Sequence, residues 1–377
     1  MTLAFCLFYY FPFGGQQRDF LKIARLCRQR GHTIHVYVLD LNGELPAEFQ
    51  VTQIKARGFA NHRRIADFAR QLQPHLASGR FDAVIGFGKM PGLDLYYAAD
   101  TCYREKVLSS RPWFYRLGGR YRTYAALERA VFAPEAQTEI LLIAEQQKAS
   151  FVKHYGTPSE RFHLLPPGIS RDRIAPPGAA TIRRVLRAEL GLGDDEQLLL
   201  LVGSAFKTKG LDRAMKAVAA LPDDLRQQCR LVIVGQDKQS PFERLARRLD
   251  IDSRVQFLGG RDDIPRFLLG ADLLLHPAYV ENTGTVLVEA LAAGLPVLAS
   301  SVCGYAGHVA AAGGGLLLPE PFAQATMNRL LTEMLTSAQR EDWSRNGRQY
   351  ALTVDLYSLH AKAADLIEAV ARRRAAP

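Results

Sequence analysis

Glu281 and Glu289 frame the most informative stretch of the chain, His276-Pro-Ala-Tyr-Val-Glu281-Asn-Thr-Gly284-Thr285-Val286-Leu-Val-Glu289, which continues through Gly294-Leu-Pro296. An apolar run ends at His276, and a loop carries Glu281. Gly284 permits close backbone approach or an unusual dihedral angle. A helix then opens at Thr285, so its first N–H groups lack intrahelical acceptors and stand at the positive end of the dipole. Such a helix start takes phosphate. An ionised carboxylate accepts two hydroxyl bonds at once, so a pair of them beside a phosphate site suits a sugar. A second loop, Gly203-Ser-Ala-Phe-Lys207-Thr-Lys209-Gly210, follows another apolar run and opens another helix. Lys207 and Lys209 can each neutralise a phosphate there. The GxxxxGK[ST] spacing of a P-loop is absent. Gly14-Gly15 marks a turn between the first strand and the first helix.

These residues need elements to hold them. In the first half the apolar runs Leu3–Tyr9, Thr33–Leu39, Asp82–Phe87 and Ile140–Ala144 read as strands. Helical patterns lie between them at Gln17–Gln29 and near Ile65–Leu76. The second half repeats the grammar. Strands are expected at Leu198–Gly203, Leu231–Gly235, Val255–Leu258, Leu273–His276, Val297–Ser300 and Leu316–Leu318, and helices near Leu211–Ala220, Phe242–Leu249 and Thr285–Ala293. Strand and helix in alternation predict α/β architecture with parallel sheets. Two Rossmann-like domains result, 1–167 and 168–357, joined near Pro166-Pro167-Gly168 and Pro176-Pro177-Gly178. A last helix near 358–374 follows a break at Tyr357-Ser358 and is read as crossing back to the first domain. Ligands in open α/β sheets bind beyond the strands' carboxyl ends, so a substrate cleft between the domains is expected.

The composition bounds the function. A chain of 377 residues that is 48% apolar suits two domains with real cores. It excludes a disordered chain, a collagen and a disulfide miniprotein. The five cysteines are scattered without a CxxC pair, and read as buried free thiols of a reducing compartment. No apolar run approaches the roughly 20 residues of a membrane span. The N-terminal MTLAFCLFYY lacks a basic region before its apolar run and reads as a first strand rather than a signal peptide. No His/Cys cluster has metal spacing. Asp250-Ile-Asp252 has the DxD spacing of some metal sites but falls at a helix end. Gly86-x-Gly88 with Gly92 is one residue too long for a dinucleotide fingerprint.

The net charge is +10, and most of it lies in residues 1–167, with 22 Lys/Arg against 14 Asp/Glu. The stretch Arg104–Arg129 alone carries seven basic residues against Glu105 and Glu128, interleaved with Trp113, Phe114, Tyr115, Tyr121 and Tyr124. Arginine among interfacial aromatics suits an anionic bilayer surface. Single-stranded nucleic acid and an ordinary solvated helical pair are the other readings of this stretch alone.

The Glu-x7-Glu pattern, with Gly between and Gly-x-Pro after the helix, resembles the nucleotide-sugar motif of retaining family 4 glycosyltransferases. The segments Phe11-Pro-Phe-Gly-Gly-Gln-Gln-Arg18-Asp19, Gly86-Phe-Gly-Lys-Met-Pro-Gly-Leu-Asp94, Ala98-Ala-Asp100-Thr-Cys-Tyr103, Gly235-Gln-Asp-Lys238 and Val302-Cys-Gly-Tyr305 narrow the resemblance to the lipopolysaccharide core glucosyltransferases of Gram-negative bacteria. The resemblance covers essentially the whole chain. It implies the GT-B architecture, two Rossmann-like domains facing across a cleft, with the acceptor on the first and a UDP-sugar on the second.

The same resemblance implies the residue roles. Glu281 lies at the transferred sugar, and Glu289 holds the donor ribose. Thr285 and Val286, behind Gly284, bind the diphosphate, as do Lys209 and Arg173. Gly14 and Gly15 approach the donor phosphate, and Arg261 meets the nucleobase. Asp19 and Asp100 lie near strand ends of the first domain, and either could orient or deprotonate the acceptor hydroxyl. The expected acceptor is a heptose of the lipid A core, reached at the inner face of the cytoplasmic membrane through residues 103–132. No metal, cofactor or nucleic acid is expected. Glucose is the default donor sugar, with UDP-GalNAc and UDP-galactose as alternatives. A non-catalytic anionic lipid or nucleic-acid binding protein is a remoter reading.

Overall fold

The computed structural model describes residues 1–12, 14–78, 80–193 and 195–375. The chain divides into two compact units, Met1–Pro166 with Ser358–Pro377, and Pro167–Tyr357.

In the first unit the strands are β1 (Thr2–Tyr10), β2 (Thr33–Leu41), β3 (Gln50–Gln53), β4 (Ala83–Gly86), β5 (Leu95–Ala98), β6 (Glu139–Leu142) and β7 (Phe162–Leu164). The helices are α1 (Gly15–Gln29), α2 (Asn61–Leu76), α3 (Tyr103–Ser110), α4 (Gly119–Phe132) and α5 (Gln146–Tyr155), with a 3-10 turn at Trp113–Leu117. The sheet order is β3-β2-β1-β4-β5-β6-β7, and its strand pairings are parallel. The N-terminal apolar run is β1, an interior strand of this sheet. Its side chains alternate between two buried layers. Leu3, Phe5 and Leu7 pack with Phe20, Ile23 and Cys27 of α1, whereas Ala4 and Cys6 pack with Phe68 and Leu72 of α2. Strands covered on both faces must be apolar throughout, which is why these segments show no period-two alternation.

The second unit contains α6 (Ala179–Glu189), β8 (Gln197–Val202), α7 (Leu211–Ala219), α8 (Asp223–Gln228), β9 (Cys229–Val234), α9 (Ser240–Arg248), β10 (Val255–Phe257), α10 (Ile264–Gly270) and β11 (Leu273–His276). It continues with α11 (Thr285–Ala293), β12 (Val297–Ser300), α12 (Ala306–Ala312), β13 (Gly315–Leu318), α13 (Gln324–Thr336) and α14 (Arg340–Thr353). Its sheet runs β10-β9-β8-β11-β12-β13, again with parallel pairings. The final helix, α15 (Leu359–Ala375), belongs to the first unit. Its Leu359, Ala363, Ile367 and Ala371 enter the core under α1 and β4. Arg30 bonds both Asp365 (2.9 Å) and Glu368 (3.2 Å).

Both sheets reverse their winding beside the first strand of the unit, between β1 and β4 and between β8 and β11. These are the topological switch points, where neighbouring loops diverge and leave a crevice at the strands' carboxyl ends. All five cysteines are buried and free. Among the described residues, no helix is long and apolar enough to cross a membrane, and no group of three or more His, Cys, Asp or Glu is placed to hold a metal ion.

Candidate active site

In the second unit, the loops after β8 and β11 leave adjacent strands at the switch point. Gly210 ends the first loop with φ +78°, and a Cβ there would lie 1.9 Å from the Pro277 carbonyl oxygen. The two loops therefore touch backbone to backbone where only glycine fits. Tyr279 N–H also donates to the Thr208 carbonyl (2.9 Å). This contact selects between the two candidate lysines. Lys207 turns to Asp212 (2.7 Å) and the Tyr279 hydroxyl (3.0 Å). Lys209 forms an ion pair with Glu281.

Glu281 is mostly buried and has a second partner, His276 Nε2 at 3.3 Å. Burial alone raises its carboxyl, but the His276 hydrogen bond and the Lys209 charge outweigh burial and bring it down to about 2. Burial lowers the His276 imidazole more than Glu281 raises it, so the ring is neutral. A carboxylate can only accept, so the ring proton sits on Nε2. The Glu281 segment is also clamped from the far side. Glu281 bridges in parallel to Cys303, and Tyr305 N–H donates to the Thr283 carbonyl (2.7 Å). These clamps come from Val302-Cys303-Gly304-Tyr305, one of the segments that carried the family resemblance.

Gly284 is the N-cap of α11 with φ +81°, a left-handed conformation that glycine adopts without strain. Thr285 is exposed at the helix start, whereas the Val286 side chain is buried, so Val286 offers only its backbone N–H. One turn in, Glu289 accepts from Arg173 Nε at 2.9 Å. Arg173 lies in the 3-10 turn Arg171–Arg173 and also reaches Asp172 (3.3 Å). Arg261 lies in the loop after β10, with its guanidinium bidentate on Asp263 (2.9 Å for each bond). Asp250 has φ +55° just past α9, and Asp252 opens a 3-10 turn.

In the first unit, Gly14 is the N-cap of α1 and Gly15 its first residue. A Cβ on Gly15 would meet nothing within 4 Å, so that backbone is open. The neighbouring Phe13 lies outside the described residues. The two acceptor-side aspartates differ sharply. Asp19 has both oxygens engaged, by Tyr97 Oη (2.7 Å) and His360 Nε2 (2.9 Å). Asp100 is exposed and lines a cavity of about 400 Å³ at the β1/β4 switch point.

Residues 182–350 match the family Glycosyl transferases group 1, and residues 13–173 match Glycosyltransferase Family 4. The chain is 48% identical over 368 residues to the lipopolysaccharide glucosyltransferase WaaG of Escherichia coli (strain K12), covering 97% of this chain and 98% of that one. The chain belongs to the WaaG family of glycosyltransferases. A crystal structure of WaaG superimposes with a TM-score of 0.88 at 47% identity, over 97% of this chain and 99% of that one. The Anabaena HepE structure in complex with UDP-glucose shares the fold at 18% identity, with a TM-score of 0.73 over 98% of this chain and all of that one.

Membership in the WaaG family makes the chain a glycosyltransferase with a GT-B-like fold of two parallel-sheet domains. Sequence reasoning missed two contributors to the geometry. His276 was read only as a strand end, yet it is 1% exposed and holds Glu281. A histidine closing an otherwise wholly apolar strand was the available signal. In the sequence Glu128 only offsets the charge of the basic stretch. It is fully buried, paired with Lys89 at 2.6 Å, and accepts the N–H groups of Tyr103 (2.8 Å) and Arg104 (3.0 Å) at the start of α3.

Proposed function

We propose that the chain transfers glucose from UDP-glucose to a heptose of the lipopolysaccharide inner core with retention at the anomeric carbon. The observation that carries this reading is the Lys209–Glu281 ion pair beside the α11 N-terminus. In a nucleoside diphosphate sugar, one bridging oxygen separates the sugar from the β-phosphate. A residue for the sugar and a residue for the phosphate must therefore be neighbours, as Glu281 and Lys209 are.

As the C1–O bond breaks, negative charge collects on the departing diphosphate. Lys209 and the N–H groups of Thr285 and Val286 would meet that charge with preorganised dipoles. The bonding electrons leave with the diphosphate, and the acceptor hydroxyl attacks C1 from the same face. Its proton passes to the leaving phosphate oxygen. His276 and Lys209 keep Glu281 ionised, which suits a group that steadies positive charge at C1. Glu289 and Arg173 would take the ribose and the distal phosphate. With these cations and N–H groups in place, the reaction needs no metal in this reading.

The basic stretch supports docking on an anionic bilayer surface. Trp113, Phe114 and Leu117 are 68%, 60% and 61% exposed, all on one 3-10 turn. Arg111, Arg116, Arg120 and Arg122 surround them and are exposed. Solvated helices rarely present such a cluster without a partner. This reading places the enzyme at the inner face of the cytoplasmic membrane.

The test is transfer from a panel of UDP-sugars to a deep-core acceptor, read by mass shift. Glucose transfer lost in Glu281→Ala is expected. Preference for UDP-GalNAc or UDP-galactose would overturn the donor assignment. Vesicle sedimentation tests the surface, and equal binding to neutral and anionic vesicles would sink it.

A further inference from the structure

The cavity in the first unit is the strongest feature that the donor chemistry leaves unused. It measures about 400 Å³, within the range of small-ligand sites. It sits at the β1/β4 switch point, between Phe8 and Tyr9 at the end of β1 and Phe87, Gly88 and Lys89 after β4. Its other wall is made by Tyr103 and Lys106 of α3 and by Arg120 and Tyr124 of α4.

The charges in this wall are unequal. Lys89 is neutralised by the buried Glu128 and also donates to the Thr101 carbonyl (3.0 Å). Lys106 and Arg120 line the same cavity, and among the described residues neither has a carboxylate partner within 4 Å, Asp100 included. Both side chains are exposed, and both line one half-open cavity walled by tyrosine rings, with Tyr103 and Tyr124 centroids 5.3 Å apart. Aromatic walls take the apolar face of a sugar ring, and a pair of cations takes an oxyanion.

We propose that this cavity is a subsite for an anionic saccharide, in which Lys106 and Arg120 grip a phosphate or carboxylate substituent of the acceptor while Asp100 receives a hydroxyl. The proposal rests on the glycosyltransferase reading and deepens it. It makes Lys106 and Arg120 determinants of acceptor choice, separate from their contribution to surface charge.

The test uses the full-length protein and a water-soluble, deacylated core oligosaccharide carrying both phosphates and carboxylates, so no membrane is present. In Lys106→Gln/Arg120→Gln the acceptor KM rises at least tenfold while the KM for UDP-glucose stays where it was. Thermal midpoint checks the fold. Removing the phosphates from the oligosaccharide, or reducing its carboxylates, raises the wild-type KM by a similar factor in one arm and so names the group. An unchanged acceptor KM in the variant overturns the subsite. So does a defect confined to acceptor embedded in vesicles, because that assigns the two cations to the bilayer. A wild-type protein that turns over no UDP-sugar at all would instead overturn the glycosyltransferase reading beneath it.

Discussion

Lys209 and Glu281 form an ion pair across two loops that leave the adjacent strands β8 and β11. Neither loop holds its charged residue alone. Lys209 is aimed by the turn that Gly210 closes against Pro277, and Glu281 is aimed by His276 and the Cys303 bridge. Lys209→Ala should lower kcat by roughly 10²- to 10³-fold, the usual cost of losing one preorganised donor to developing charge. Steady-state turnover of UDP-glucose measures it. A kcat within threefold of wild type would remove Lys209 from the leaving-group site.

Gly210→Ala tests the same geometry through the backbone. The new methyl would sit 1.9 Å from a carbonyl oxygen and at φ +78°. The loop must shift, at a cost of about 1–3 kcal/mol in stability. The transfer defect should approach that of Lys209→Ala, although no charged group has been removed. Thermal denaturation and turnover, measured on one preparation, separate the two effects.

Arg173 and Glu289 are coupled at 2.9 Å, so their variants should not add. Glu289→Ala is expected to weaken UDP binding about tenfold, or about 1.4 kcal/mol. A double-mutant cycle with Arg173→Ala should return a coupling of at least about 0.5 kcal/mol, as residues in one hydrogen-bonded network do. Titration calorimetry with UDP gives all four affinities. Strict additivity would show that the pair acts independently on the nucleotide.

Glu281 also predicts a pH signature. Its carboxyl is held down at about 2 in the fold, against an ordinary value of 4.5. Between those values the unfolded chain binds more protons than the folded one, so stability rises with pH in that window. The contribution is complete above about pH 4.5 and is lost as pH falls toward 2. In Glu281→Gln, the fall of thermal midpoint between pH 5 and pH 3 should be shallower than in wild type. Parallel curves would mean that Lys209 and His276 do not hold the carboxylate as described.

The donor half-site was the more legible part in sequence. Its residues follow strand ends in order, and glycines at 203, 210 and 284 mark the loops. The adjacency of β8 and β11 is supplied by the fold, in the strand order β10-β9-β8-β11. Residue types alone left Lys207 and Lys209 equivalent, because two residues' separation in a loop carries no direction, and it was the family resemblance that singled out Lys209. The strands β3, β5 and β7 were missed for physical reasons. β3 is an exposed edge of four polar-leaning residues, and β7 has only three. β5, Leu-Tyr-Tyr-Ala, is apolar, but its four residues lie too close to β4 for an intervening helix to announce them. The acceptor side was least legible. Asp100 follows β5 and Asp19 lies in the first turns of α1, and only the fold reveals that Asp19 is occupied by Tyr97 and His360, the latter 341 residues away.

Glu128 supplies the prediction that tests how the acceptor side is held together. It is fully buried, and burial alone raises its carboxyl. The Lys89 charge, the Tyr155 hydroxyl (2.7 Å) and two backbone N–H groups of α3 outweigh burial and keep it ionised. Breaking a buried ion pair by removing one partner typically costs about 3–5 kcal/mol, because the other charge stays desolvated. Glu128→Ala should therefore destabilise the protein by about that much in a denaturant titration. Lys89→Met with Glu128→Leu removes both charges and should recover most of the loss, since apolar replacements of a buried pair are often neutral. The double variant still lacks the carboxylate that caps α3, and α3 carries Tyr103 and Lys106. Its acceptor KM should thus stay high after its stability has returned. Recovery of both together would mean that Glu128 merely balances Lys89. Recovery of stability alone identifies the carboxylate as what positions α3.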